Sequence, residues 1–302
     1  MHLMLQAVLI HFWHNLERRA LHMKVAAIQM CSGVDPAVNV KTLERMVGEA
    51  VKRGATYVQT PEMTGAVQRS KPGLMSVLKN ENEDLIVSAA AALSAHHEVY
   101  LHIGSTAILL DDGKIANRAF LFGPDGKIIT RYDKIHMFDV DLDNGESWRE
   151  SSTYRPGEAA VVADLPFGKL GFAICYDVRF PHLFRQEAQA GAQILTVPAA
   201  FTKQTGEAHW EVLLRARAIE NGTYLIAAAQ AGLHEDGRET FGHSMVIDPW
   251  GRIVAAANGE GEAIVVADID LETVASAREK IPNLKNGRAF EVSMVTAGGS
   301  AN

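Results

Sequence analysis

From Met23 onward, short apolar segments with strand character alternate with helical runs, and Asp-Gly pairs separate several of the strands. Few architectures accommodate that alternation. Residues 23–30 (MKVAAIQM) read as a first strand. Asp35 followed by Pro36 is a helix start, and the helical run reaches Arg53 before Gly54 stops it. Residues 55–60 (ATYVQT) read as a second strand and residues near 81–97 as a helix. Residues 98–105 and 106–110 read as two strands in close succession. Asp112-Gly113 and Asp125-Gly126 predict hairpin turns. Further on, strands are expected at Leu170–Ile174, 192–198, 223–230, 243–249 and 262–270, with helices at 181–190, 209–220 and about 271–280. Asn221-Gly222 ends the second of these helices. Strands interleaved with helices and hairpins predict a layered α/β protein with mixed strand directions. With no internal repeat, low-complexity tract or long linker, one domain is expected.

Composition narrows the functional classes. The 302 residues are 47% hydrophobic, enough for a substantial core. The formal net charge of −7 argues against a nucleic-acid partner, which requires a basic footprint. No run of about 18 apolar residues occurs, so no membrane-spanning helix is expected. Two cysteines make no disulfide framework, and a reducing compartment, most simply the cytoplasm, is expected. Residues 1–22 differ from the rest, with Leu5, Leu9, Phe12 and Leu16 on one helical face. Arg18 and Arg19 follow that apolar part, the reverse of a secretory signal. These residues are read as an extension outside a catalytic domain spanning 23–302. His11 and His14 lack further ligands, so no metal is expected.

The chemistry concentrates at three strand ends. Residues 171–180 (GFAICYDVRF) carry Cys175 just past an apolar strand, where a sharp turn exposes a side chain at the sheet edge. Such a turn also frees the backbone N–H of Tyr176 to face a substrate oxygen. Free cysteine is among the most buried residue types, so Cys175 taken alone reads as a core residue. Glu62 follows Thr60-Pro61 just beyond the second strand, and Lys134 lies just beyond the strand that contains Tyr132. Separately, these read as a solvated carboxylate and as a lysine paired with Asp133 or Asp139. Together they place a carboxylate, an ammonium and a thiol at corresponding ends of three strands.

The order and context of these residues resemble the nitrilase superfamily of carbon–nitrogen hydrolases. The resemblance rests on PE at 61–62, YDKIHMFD at 132–139, WRESS at 148–152 and CYDVRFP at 175–181, and covers Met23 to about Pro282. Within that superfamily, residues 206–220, 227–234 and 242–251 look most like the deaminated-glutathione amidase branch, with the ω-amidase branch next. It implies a four-layer αββα sandwich and a Glu–Lys–Cys triad. Glu62 would be the general base, Cys175 the nucleophile, and Lys134 with the Tyr176 N–H the oxyanion holders. Glu150 would orient Lys134, the substrate amide or the water. Burial and the neighbouring lysine oppose each other at Glu62, a balance expected to leave it near neutrality. No organic cofactor is implied. Thr60 before Pro61, His182 after Pro181, and the tail at 283–294 depart from the family's usual pattern. Only the tail bears on subunit contacts and substrate range.

Arg179 is a candidate clamp for a substrate carboxylate, or else an ion-pair partner of Asp177 or a subunit-interface arginine. Phe201 and Thr202 are expected at the mouth of the substrate pocket. The resemblance further implies a small-molecule amide substrate and a homodimer or higher homo-oligomer formed through helices 181–190 and 209–220. A Cys–His dyad drawing on His209 or His243 would leave Glu62 and Lys134 unexplained. A thioester-based N-acyltransferase and a non-enzymatic binding relative are the remaining alternatives.

Overall fold

Alternate residues of the first strand face opposite ways, and both faces are buried. Val25 and Ala27 belong to one apolar cluster, while Ala26 and Ile28 belong to another. A strand covered on both faces lies inside a layered sandwich. The computed structural model, which describes residues 22–142, 145 and 147–296, shows that arrangement. The expected leader, with its Leu5/Leu9/Phe12/Leu16 face, lies outside the described residues, apart from His22 at the start of the first strand.

Two six-stranded sheets form the centre. The first runs, in spatial order, β16 (Ala263–Asp270), β1 (His22–Gln29), β2 (Tyr57–Gln59), β3 (Tyr100–Leu109), β4 (Ile115–Phe122) and β5 (Ile128–Asp133). The second runs β15 (Ile253–Ala256), β14 (Met245–Ile247), β11 (Tyr224–Ala227), β10 (Ile194–Thr196), β9 (Gly168–Phe172) and β8 (Val162–Leu165). Each has three parallel strands at its centre, β1–β2–β3 and β9–β10–β11, flanked by antiparallel ones. Two short ribbons pair β6 (Asp139–Asp141) with β7 (Ser147–Arg149) and β12 (Ala231–Leu233) with β13 (Glu239–Phe241).

Helices close the outer faces. Leu43, Met46 and Val47 of α1 (Pro36–Lys52) pack with Ile86 and Ala90 of α3 (Leu85–His97) on the first sheet. A short α2 (Lys71–Val77) lies between them in the chain. Phe184 of α4 (Pro181–Gln189) and Trp210 and Leu214 of α5 (Lys203–Asn221) cover the second sheet. The last helix, α6, spans Glu272–Lys280. The layers are therefore α, β, β, α. Fully burying one such side chain contributes about 1.5–3 kcal/mol. Local signals set the ends: Asp35 accepts from the Ala37 N–H (2.9 Å) with Pro36 at the first turn, and Gly222 closes α5 in the left-handed region at φ 57°.

The structure redraws two elements. The strands expected at 98–105 and 106–110 are one strand, β3, with a register shift between Ile103 and Thr106. Gly104 lies in that bulge because a Cβ there would sit 2.1 Å from the Thr60 carbonyl oxygen and 2.4 Å from Pro198. The approach brings the loops after β2 and β10 together. Helix α5 begins at Lys203 rather than at His209. Its first two turns are polar and contain Gly206, which reads as a breaker in sequence. In the fold Gly206 makes room for the Phe241 ring, 2.3 Å from where its Cβ would be.

Candidate active site

Strands β2, β5 and β9 end at the same edge of the sandwich, and the residue expected to be reactive follows each within three positions. Beyond β2, Thr60 and Thr64 share a hydroxyl contact of 2.7 Å, and the Met63 N–H donates to Ser105 Oγ at 3.0 Å. Met63 adopts φ 54°, a left-handed conformation that non-glycine residues seldom take. This tight loop holds Glu62 with 4% of its surface exposed. Beyond β5, the Lys134 N–H donates to the Asn117 carbonyl at 3.0 Å, and the side chain turns inward with 2% exposed. Beyond β9, the Cys175 N–H donates to the Pro198 carbonyl at 2.9 Å. Cys175 itself has φ 49° and opens a 3-10 turn, Cys175–Arg179. Left-handed strain at a reactive residue presents its side chain on a sharp strand-to-helix corner.

Glu62, Lys134, Glu150 and Cys175 meet there. Lys134 Nζ donates to Glu62 Oε1 at 2.9 Å and to Glu150 Oε2 at 2.8 Å. Glu150, in the 3-10 turn after β7, also accepts from the Phe138 N–H at 2.6 Å. Glu62 Oε2 accepts from the Ala200 N–H at 2.8 Å, and Glu62, Lys134 and Cys175 all face the same cavity. The alternative partners of Lys134 are engaged elsewhere, Asp133 with Arg118 and Asp139 with Ser151.

Electrostatics fix the resting charges. Burial pushes the Glu62 carboxyl up, but the Lys134 ammonium and the hydrogen bonds around it hold the group below its ordinary value. The expected balance near neutrality is thus tipped toward the carboxylate. Burial pulls the Lys134 ammonium down, and the charges of Glu150 and Glu62 more than reverse this, leaving it well above its ordinary value. Burial, reinforced by Glu62, pushes the Cys175 thiol well up. The resting cluster therefore holds a carboxylate, an ammonium and a neutral thiol.

The cluster forms the floor of a cavity of about 420 Å³. Tyr176, Phe201 and Thr202 line it. The Tyr176 N–H donates to no protein acceptor among the described residues. Arg179 does not line the cavity. Its guanidinium lies 5.8 Å from the Tyr176 ring centre and 5.4 Å from that of Phe201, with Nη1 3.3 Å from His209 Nδ1. Nor does it pair with Asp177. Asp177 is fully buried and accepts from Tyr132 Oη (2.7 Å), the His136 N–H (3.0 Å) and the Ile174 N–H (2.9 Å). It thereby ties the Lys134 loop to the Cys175 corner. No histidine lines the cavity among the described residues, and His243 stacks on Phe241 instead.

Sequence reasoning missed Asn117, whose Nδ2 donates to Glu62 Oε1 at 2.9 Å and to Glu150 Oε1 at 3.2 Å. The polar pair Asn117-Arg118, which interrupts the apolar residues of strand β4, was the available signal. It missed Arg69, Lys71 and Arg238 as cavity-lining residues. Arg69 and Arg238 lie in loops and Lys71 opens the short α2, positions that carry no periodic signal.

A buried carboxylate–ammonium–thiol cluster in an αββα sandwich is the arrangement the nitrilase-like motifs lead one to expect. Residues 24–279 match the carbon-nitrogen hydrolase family, and the chain belongs to it. Among similar proteins, deaminated glutathione amidase of Yersinia enterocolitica is 39% identical over 267 residues, covering 87% of this chain and 92% of that one. Omega-amidase NIT2 of Mus musculus is 37% identical, covering 88% and 95%. The crystal structure of Saccharomyces cerevisiae Nit3, a member of branch 10 of the nitrilase superfamily, superposes with a TM-score of 0.78 at 31% identity, covering 87% and 95%.

Proposed function

We propose that this protein hydrolyses a linear, carboxylate-bearing amide through a thioester on Cys175, and that its substrate is deaminated glutathione, split to 2-oxoglutarate and Cys-Gly. The observation that carries the reading is the cluster at the floor of the cavity, where Cys175 lies with Glu62 and Lys134 and Lys134 Nζ donates to Glu62 Oε1 at 2.9 Å and to Glu150 Oε2 at 2.8 Å. Because the thiol is protonated at rest, its proton passes to Glu62 as sulfur attacks the amide carbon. The developing oxyanion is held by Lys134 Nζ and the Tyr176 N–H. Such a donor is worth about 10²–10³ in rate. Collapse breaks the C–N bond as Glu62 returns the proton to the departing nitrogen. Water then attacks the thioester, losing its proton to Glu62, and the thiol is regenerated with a carboxylic acid. Glu150 and Asn117 hold Lys134 and Glu62 in register throughout.

The identity to the deaminated glutathione amidase of Yersinia enterocolitica supports this substrate, and the similar identity to omega-amidase NIT2 supports 2-oxoglutaramate as the second reading. Initial rates on both amides separate them. We expect kcat/KM for deaminated glutathione to be at least roughly tenfold the higher, and the reverse order would assign the chain to ω-amidase chemistry. The reading extends to a cytoplasmic homodimer formed through α4 and α5. Val212 and Ile219 of α5 are 68% and 51% exposed, as is the nearby Trp250 at 51%, an apolar surface suited to a two-fold contact. Sedimentation at micromolar concentration should give the dimer, and a monomer of full activity would refute this part.

A further inference from the structure

Four cationic side chains besides Lys134 line the cavity, and they divide into two kinds. Arg238 pairs with Asp236 at 3.1 Å and lies over the Trp148 ring at 5.4 Å, and Arg149 pairs with Asp141 at 2.8 Å. Arg69 and Lys71 have no ion-pair or hydrogen-bond partner among the described residues. In a chain of net charge −7, two unpaired cations two positions apart in the chain, both on the wall of one cavity, offer a local site for an anion.

Their place in the chain says which part of the substrate they meet. The wall that carries them is the continuation of the Glu62 loop: Glu62, Met63, Ala66, Arg69 and Lys71 all line the cavity. In the proposed reaction Glu62 gives its proton to the departing nitrogen, so the leaving group sits against the Glu62 wall and the acyl half lies beyond Cys175. The segment is anchored before any substrate arrives. The Val67 N–H donates to the Gly33 carbonyl at 3.0 Å, Gln68 Nε2 donates to the Val34 carbonyl at 3.2 Å, and Ser70 Oγ accepts from the Gly73 N–H at 3.1 Å. Such pre-ordering lowers the entropic cost of binding. An extended dipeptide spans about 7 Å, a length that takes its terminal carboxylate away from the scissile bond toward the rim.

We infer that Arg69 and Lys71 form a leaving-group subsite that binds the terminal carboxylate of a peptide amine. The site selects amides whose leaving group is an anionic dipeptide over those that release ammonia. This inference rests on the substrate reading above and adds the residues that enforce it. Both side chains are exposed, so solvent and salt screen the contact and its effect is moderate.

The test compares wild type with an Arg69→Ala/Lys71→Ala variant on three amides. These are deaminated glutathione, its analogue ending in a neutral C-terminal carboxamide, and 2-oxoglutaramate. For the first, KM should rise about tenfold in the variant with kcat unchanged, as lost uniform binding requires. For the carboxamide analogue, KM should already be high in wild type and rise no further. For 2-oxoglutaramate, which releases ammonia, both constants should stay within about twofold, which also reports that the variant is folded. An unchanged KM for deaminated glutathione, or an equal rise for all three amides, overturns the subsite while leaving the substrate reading intact. A wild type that hydrolyses 2-oxoglutaramate and neither peptide amide overturns both.

Discussion

Replacing Cys175 by alanine is expected to lower kcat on any amide by a factor of about 10⁴ or more, with the fold intact. The size follows from chemistry that no neighbour can replace. The neighbouring Glu62 carboxylate is held by Lys134, Asn117 and the Ala200 N–H. Alanine also removes the left-handed strain at φ 49° no more than cysteine does, so the backbone corner is retained at the same cost. Thermal melting of the variant should stay within a few degrees of wild type. Activity within about tenfold of wild type would mean that a different group attacks.

Lys134→Met should produce the largest combined effect on stability and activity. In wild type the ammonium sits between Glu62 and Glu150 with 2% of its side chain exposed. Removing one partner of a buried ion pair typically costs about 3–5 kcal/mol, because the remaining charge is left unpaired in a poor solvent. Here two carboxylates would be left. The pH dependence should invert as well. With Lys134 present, the Glu62 carboxyl is held below its ordinary value. Its contribution to stability is therefore present above the unfolded value of about 4.3 and lost as pH falls through the folded one. Without Lys134, burial, the largest influence on that carboxyl, is opposed only by the remaining hydrogen bonds such as those from Asn117 and the Ala200 N–H, and raises it. The variant should then gain stability as pH falls from 7 toward 5, because protonation relieves the buried charge. Melting temperatures across pH 4–8 check both parts. A variant that melts like wild type at every pH would show that the cluster is not charged as described.

How much of this was legible from the chain varies by residue. The strand ends bearing Glu62, Lys134 and Cys175 were legible because each follows an apolar run and a punctuating residue, such as Pro61, or a change to polar sequence. The hairpins at Gly113 and Gly126 were legible because their left-handed backbone, φ 77° and 78°, favours glycine. The ribbon of β6 and β7 was not, since its strands are three residues each, with exposed ends and a single apolar residue between those ends, too short to establish an alternation. The early start of α5 was hidden by Gly206, whose reason is a ring from another element. Arg179 was read as a candidate clamp on spacing alone. Four residues past Cys175 is near in sequence, but the 3-10 turn carries it outside the cavity, over Tyr176 and Phe201. Asp177 illustrates the converse. Its four donor groups come from β5, the loop after it and the Cys175 corner, and no local pattern reports such long-range satisfaction.

The central claim is that amide cleavage passes through a thioester on Cys175. Rapid quenching during turnover of a slow amide, followed by mass analysis of protease fragments, tests it most directly. The account predicts the mass of the acyl group on the fragment that contains Cys175, absent from the Cys175→Ala protein and appearing in step with release of the amine. An acyl mass on the fragment containing Cys31, or steady turnover with no acylated fragment in a quench fast enough to catch one, would contradict it.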